Sequence, residues 1–186
     1  MILIGLGANL PHPEYGSPAC TLQQSLEELG RRGVRPVRCS RWYVSPPWPA
    51  SLAGQPWYVN GVAEVETSLD PDSLLHCLHE VEWRFGRVRT EAWAPRRIDL
   101  DLLAYHDLVR PASAQHGIAE LPHPRMHQRG FVLLPLQEIS PGWHHPVDGR
   151  DVSDLARSVG CDGIEPLVAE AVAQDEIHLA GSAVGS

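Results

Sequence analysis

The chain opens on an apolar run, Ile2 to Leu6, that ends in Gly5, Gly7 and Asn9, a pattern that predicts an interior strand entering a turn. A loop rich in Pro, Gly and Ser follows to Ala19. Thr21 with Gln24 three residues on reads as a capping box, and Leu22, Leu26 and Leu29 then recur at helical spacing up to Gly30 and Gly33. Val34 to Val44 is rich in β-formers and predicts a second strand. Ser45 to Pro56 holds Pro46, Pro47, Pro49 and Pro56, which predicts a loop. Trp57 to Thr67 alternates as a third strand, with Val59, Gly61, Ala63 and Val65 on one face and Tyr58, Asn60, Val62 and Glu64 on the other. Asp70–Pro71 is an N-cap followed by Pro at the first helical position. The stripe Leu74, Leu75, Leu78, Val81, Phe85 continues that helix to Gly86. Ile98 to Leu103 predicts a fourth strand. Phe131 to Ile139 is apolar throughout, and periodicity does not decide between strand and helix.

The order β-α-β-β-α-β predicts an α+β fold, the ferredoxin-like core with an antiparallel sheet. Both helices are expected on one face and the active site on the other. The organised part is expected to span residues 1–147. Residues 148–186 read as an acidic C-terminal extension, partly disordered, above all from Gly181 to Ser186.

Charge supports that division. The net charge of the 186-residue chain is -8, and residues 148–186 carry eight acids against Arg150 and Arg157. The basic residues are less usual: all 15 are Arg, and no Lys occurs. A P-loop, a protein-kinase site and Schiff-base chemistry all need a Lys and are excluded. Any polyanion must be held by Arg, backbone N–H groups or a metal. The acidic balance argues against nucleic acid as a partner. Cys20, Cys39, Cys77 and Cys161 form no CxxC pair, so neither a zinc ribbon nor a disulfide scaffold is expected. The N-terminus lacks a signal-peptide pattern, and no apolar run approaches the roughly 18 residues of a membrane span. A cytoplasmic monomer with no membrane partner is the expectation.

Three groups of residues could carry chemistry. Asp99 and Asp101, two apart on a strand, face the same way while Ile98, Leu100 and Leu102 face the core. Paired carboxylates suit a divalent cation such as Mg²⁺, or they form a solvated face balanced by Arg96 or Arg97. Arg84, Arg87, Arg89, Arg96 and Arg97 crowd beside them with one acid, Glu91. Arg forks fit phosphate oxygens, although a similar run from Arg31 to Arg41 reads as surface charge. Tyr58 and Asn60 share a strand face; they could stack on and hydrogen-bond a flat heterocycle, or be half-buried sheet residues. The ten His show no standard zinc spacing.

The stretch Trp93–Ala94–Pro95–Arg96–Arg97–Ile98–Asp99–Leu100–Asp101–Leu102–Leu103 resembles the signature of the 6-hydroxymethyl-7,8-dihydropterin pyrophosphokinases. Five further blocks match in order: Gly5 to Leu10, Ser45–Pro46–Pro47, Gln55 to Asn60, Glu82 to Arg89, and Leu121 to Pro124 with Arg129–Gly130–Phe131. The resemblance covers about residues 1–147. It departs at Ala94, Arg97 and Pro124, and the tail has no clear counterpart.

The resemblance implies transfer of the β,γ-diphosphate of ATP to the pterin hydroxymethyl group in folate biosynthesis, giving AMP and the pterin diphosphate. It implies that Asp99 and Asp101 hold two Mg²⁺ and that Arg87 and Arg96 act on the transferring group. Arg89, Trp93, His123 and Arg129 would contact ATP. Tyr58 and Phe131 would sandwich the pterin, with Asn60, Ser45 and Pro46 at its edge. The alternative is a ferredoxin-like ligand- or RNA-binding module without catalysis. It makes no use of the Asp pair beside Arg, and its RNA form needs a basic surface.

Overall fold

A computed structural model describes residues 1–49, 52, 54–87, 94–113 and 117–168. The first strand, β1 (Ile2–Ala8), is buried along its whole length. It is apolar on both sides because each sheet face has its own core. Ile2, Ile4 and Leu6 point into one cluster and Leu3 into the other. β1 lies between β4 (Tyr58–Glu66) and β5 (Asp99–Tyr105), antiparallel to both. With β2 (Arg35–Cys39), β3 (Tyr43–Ser45) and β6 (Glu165–Pro166), the sheet order is β5-β1-β4-β3-β6, and β2 also pairs with β4.

The single second strand of the sequence reading is two strands, β2 and β3 (Tyr43–Ser45). The break has a local cause. The Ser40 hydroxyl accepts the Val62 N–H at 3.1 Å, in place of a ladder carbonyl. The Trp42 ring then crosses β4 over Gly61, where a Cβ would lie 2.6 Å from the ring. Ser45, read as loop, is therefore the last residue of β3, opposite Tyr58.

Two helices cover the first face. α1 (Pro18–Arg31) is capped by Ser17, whose hydroxyl accepts the Cys20 N–H, with Pro18 at the first position. The expected cap, Thr21, sits inside the helix instead and donates its hydroxyl to the Ser17 carbonyl. α2 (Pro71–Arg84) starts where expected, with Asp70 Oδ1 accepting from the Asp72 and Ser73 N–H groups, each at 3.0 Å. Leu22, Leu26, Leu29, Leu74, Leu78 and Val81 pack on Ile4, Ala63 and Leu100.

The opposite face is not simply open. Residues 130–139 form α3 (Gly130–Ile139), with Pro135 inside it. Val132, Leu133, Leu136 and Ile139 lie on Leu3, Val62 and Leu103, with α4 (Val152–Val159) behind them. A helix covered by a sheet and by another helix needs little polar surface, which explains its weak periodicity. The site described below occupies the part of this face that α3 leaves.

The expected division at residue 147 does not coincide with an edge of the packing. Val152, Leu155 and Ala156 belong to the second core, and β6 (Glu165–Pro166) pairs with β3. Amphipathic spacing in α4 is short and easily overlooked in an acidic stretch. Residues 169–186, including the end read as disordered, lie outside the described residues. The Arg31–Arg41 run is held in ion pairs with Glu27, Glu28, Glu80, Glu66, Glu64 and Glu138. Among the described residues no helix is long and apolar enough to cross a membrane.

Candidate active site

Strand alternation on β5 sends Leu100 and Leu102 into the first core and turns Asp99 and Asp101 to the other face. There they line a cavity of about 430 Å³. Ser45, Pro46, Tyr58, Asn60, Arg87, Arg96, His123, Arg129 and Phe131 line the same cavity. The chain thus brings together residues from β3, β4, β5, the end of α2 and the start of α3. Arg89 and Trp93 lie outside the described residues.

One end of the cavity is ionic. Arg87 Nη1 lies 2.8 Å from Asp99 Oδ1, and Arg96 Nη1 donates to Asp99 Oδ2 at 2.9 Å. Arg129 Nη1 donates to Asp101 Oδ2 at 3.3 Å, with His123 Nε2 at 3.8 Å from the same oxygen. Burial, and then the neighbouring Asp101 carboxylate, push the Asp99 carboxyl up. Burial pulls His123 and Arg129 down. Two like charges on one face of a strand are relieved by a cation. Among the described residues no group of three His, Cys, Asp or Glu is arranged to hold a metal. Paired carboxylate oxygens are the donor type that a hard divalent ion takes together with phosphate and water oxygens.

The backbone around this end is fixed by Asn9. Its Oδ1 accepts the Arg96 N–H at 2.8 Å, and the Arg96 carbonyl accepts the Asn9 and Leu10 N–H groups at 3.0 and 3.3 Å. The turn after β1 thus sets the approach to β5.

Behind Arg87 lies Glu82, only 1% exposed. It ion-pairs with Arg87, and its Oε1 accepts the Leu100 N–H at 2.7 Å. Burial pushes its carboxyl up from 4.5 to about 7, with Arg87 pulling the other way. Between those values the folded chain holds a proton that the unfolded chain has lost. This contribution to stability is therefore complete below pH 4.5 and disappears as pH rises to about 7. Relative to a Glu82→Gln chain, the wild type should lose up to about 3 kcal/mol across that window. Denaturant unfolding at both ends of the window tests this, and parallel pH profiles for the two chains would contradict it.

The other end of the cavity is aromatic. Tyr58 and Phe131 are half-buried. Asn60 Nδ2 donates to Ser45 Oγ at 2.9 Å, which orients a buried amide beside the rings. Burial raises the Tyr58 hydroxyl. The Arg129 guanidinium carbon lies 5.6 Å from the Phe131 ring centre and 5.7 Å from that of Trp48. The cavity therefore joins a guanidinium–carboxylate surface, suited to a polyphosphate, to a slot suited to a flat ring.

Sequence reasoning gave no role to Glu82, Trp48 or Arg125, although the last two line the cavity. Glu82 carried a signal: it lies four residues after Leu78, a carboxylate on the apolar face of α2. Trp48 and Arg125 carried none, since each stands in a Pro-flanked loop.

The family model for 7,8-dihydro-6-hydroxymethylpterin-pyrophosphokinase matches residues 3–141. A 2-amino-4-hydroxy-6-hydroxymethyldihydropteridine pyrophosphokinase of Synechocystis sp. is 38% identical over 170 residues, covering 89% of this chain and 79% of its own. The enzyme of the same name from Pseudomonas aeruginosa is 35% identical, covering 89% of this chain and 96% of its own. Among solved structures, Plasmodium falciparum HPPK-DHPS with pteroate superposes with a TM-score of 0.63 at 12% identity, over 84% of this chain. That likeness concerns the fold, and this chain spans only 44% of that longer one.

Proposed function

Because the chain belongs to the 7,8-dihydro-6-hydroxymethylpterin-pyrophosphokinase family, we propose that the cavity beside β5 is its catalytic centre. The protein is an ATP-dependent diphosphokinase of folate biosynthesis. It transfers the β,γ-diphosphate of ATP to 6-hydroxymethyl-7,8-dihydropterin and releases AMP. The observation that supports this centre is the union, in one cavity, of Asp99 and Asp101 facing three Arg with Tyr58, Asn60 and Phe131.

In this reading the aromatic end takes the pterin. Tyr58 and Phe131 stack on its faces, and Asn60, held by Ser45, meets its edge beside Pro46. The ionic end takes the triphosphate through Arg87, Arg96, His123 and Arg129, and Arg89 and Trp93 complete the ATP site. Asp99 and Asp101 would hold two Mg²⁺, which when bound supply charge neutralisation on the phosphate oxygens. Arg87 and Arg96 then direct N–H groups at the charge that develops between leaving and attacking oxygens. Their guanidinium groups are preset by Glu82 and Asp99, and the Arg96 backbone by the Asn9 turn, so little reorganisation accompanies transfer. Holding both substrates in one cavity removes much of the entropic barrier.

Small-molecule substrates and a cytoplasmic setting fit the pathway. No observation favours a non-catalytic module.

The direct test mixes the protein with Mg²⁺, ATP and 6-hydroxymethyl-7,8-dihydropterin. AMP and pterin diphosphate are expected, and ADP or no nucleotide product would sink the assignment. Within the same assay, Tyr58→Ala should weaken pterin binding by about 1–3 kcal/mol, the usual worth of one ring stack. ATP affinity should be nearly unchanged, and calorimetry giving the opposite order would refute the sandwich.

A further inference from the structure

The segment from Gly160 to Leu167 follows the family match, which ends at residue 141, yet it touches both walls of the aromatic end. On one wall, Glu165 and Pro166 pair with Val44 and Tyr43 of β3, and the Leu167 N–H donates to the Trp42 carbonyl at 2.8 Å. This is the strand that delivers Ser45. A Cβ on Gly163 would lie 3.6 Å from Pro46 Cδ, so the segment also passes close to the Pro46 ring. On the other wall the segment presses on Gly130, which stands between Arg129 and Phe131. A Cβ on Gly130 would lie 2.9 Å from the Gly160 carbonyl oxygen and 2.9 Å from Ile164 Cδ1. So close an approach needs a residue without a side chain.

We propose that residues 160–167 act as a positioning strap for the pterin slot, tying β3 and Pro46 to the N-terminal end of α3. The proposal rests on the reading of Tyr58 and Phe131 as the pterin sandwich. A slot for a flat ring depends steeply on its width. An extra gap of about 0.5–1 Å forfeits roughly a quarter to a half of the dispersion attraction on that side. The strap fixes this width from outside the cavity and touches no substrate. The carboxylates of β5, the guanidinium groups of Arg87 and Arg96 and the Arg96 backbone are anchored elsewhere, by β1, by Glu82 and Asp99, and by Asn9. Arg129, which flanks Gly130, keeps a second anchor in its hydrogen bond to Asp101 on β5, so loss of the strap acts on the pterin more than on ATP.

The test compares steady-state constants of the full chain with those of chains ending at Val168 and at Val159. The chain ending at Val168 should match the full chain. The chain ending at Val159, which keeps α4, should show a pterin KM raised about tenfold and an ATP KM within twofold. A folded Val159 chain with pterin KM within twofold of the full chain overturns the strap. Equal rises in both KM values, or a pterin KM shift already present in the Val168 chain, also overturn it. Should the Val159 chain lose its cooperative melting, Ile164→Ala and Leu167→Ala in the full chain decide instead. Each should raise pterin KM about threefold with ATP KM unchanged, and no rise in either overturns the proposal. Failure of the underlying site reading looks different: Tyr58→Ala in the full chain would then bind pterin normally.

Discussion

Replacing Asp101 with alanine should abolish turnover, lowering kcat/KM by at least about 10³-fold, because in its proposed role it would hold a metal ion whose charge stabilisation is worth several kcal/mol. Asp101 projects from β5 into the cavity, where Arg129 and His123 meet its Oδ2. Its side chain is 35% exposed, so its removal opens no core cavity. The melting temperature should shift by only a few degrees, which separates lost chemistry from lost fold. Asp101→Asn keeps the shape and removes the charge, and it should lose nearly as much activity. The affinity for MgATP, read by calorimetry, should fall in both variants. Near-normal turnover in either would refute the role of the pair as a metal site.

Arg96→Ala should lower kcat by about 10²–10³-fold, the usual effect of deleting one preorganised donor to a developing charge. Its backbone is held by Asn9 whatever side chain it carries, so the loss stays local. Arg96→Lys sharpens the test in a chain that has no other Lys. An ammonium keeps the charge but cannot offer the planar fork that reaches Asp99 and a phosphate together. Rescue by Lys should therefore stay below about tenfold. A kcat within threefold of wild type for the Ala variant would remove Arg96 from the transfer step.

The parts of this molecule that were legible in its sequence are those set by local rules. Alternation in 98–103 places Asp99 and Asp101 on one face because a strand has period two. Asp70–Pro71 marks the start of α2 because a cap and a fixed φ act within one turn. What escaped depends on partners distant in sequence. Thr21 has the chemistry of a cap, but Ser17 with Pro18 starts the helix a turn earlier. The break between β2 and β3 depends on Ser40 and Trp42 meeting β4 some twenty residues on. α3 is covered on two sides, so its pattern carries no period. The site followed the same division. The Asp pair and the Tyr58–Asn60 face were visible from spacing, and the roles of the Arg and His residues came from the resemblance. Glu82 became meaningful only when Leu100 and Arg87 were seen to converge on it.

Among the described residues the carboxylate-bearing strand β5 is also a border of the sheet, paired on one side only, to β1. An unpaired border of apolar residues is a template for a neighbouring molecule. Here two of its groups are already engaged: the Leu100 N–H by Glu82, and the Leu103 carbonyl by the His123 N–H at 2.8 Å. The segment carrying His123 thus seals the rim of the sheet as well as lining the cavity. The contacts that shape the cavity thus also occupy two of the groups through which a second copy of the chain could pair, so one set of atoms serves both the cavity and the border of the sheet.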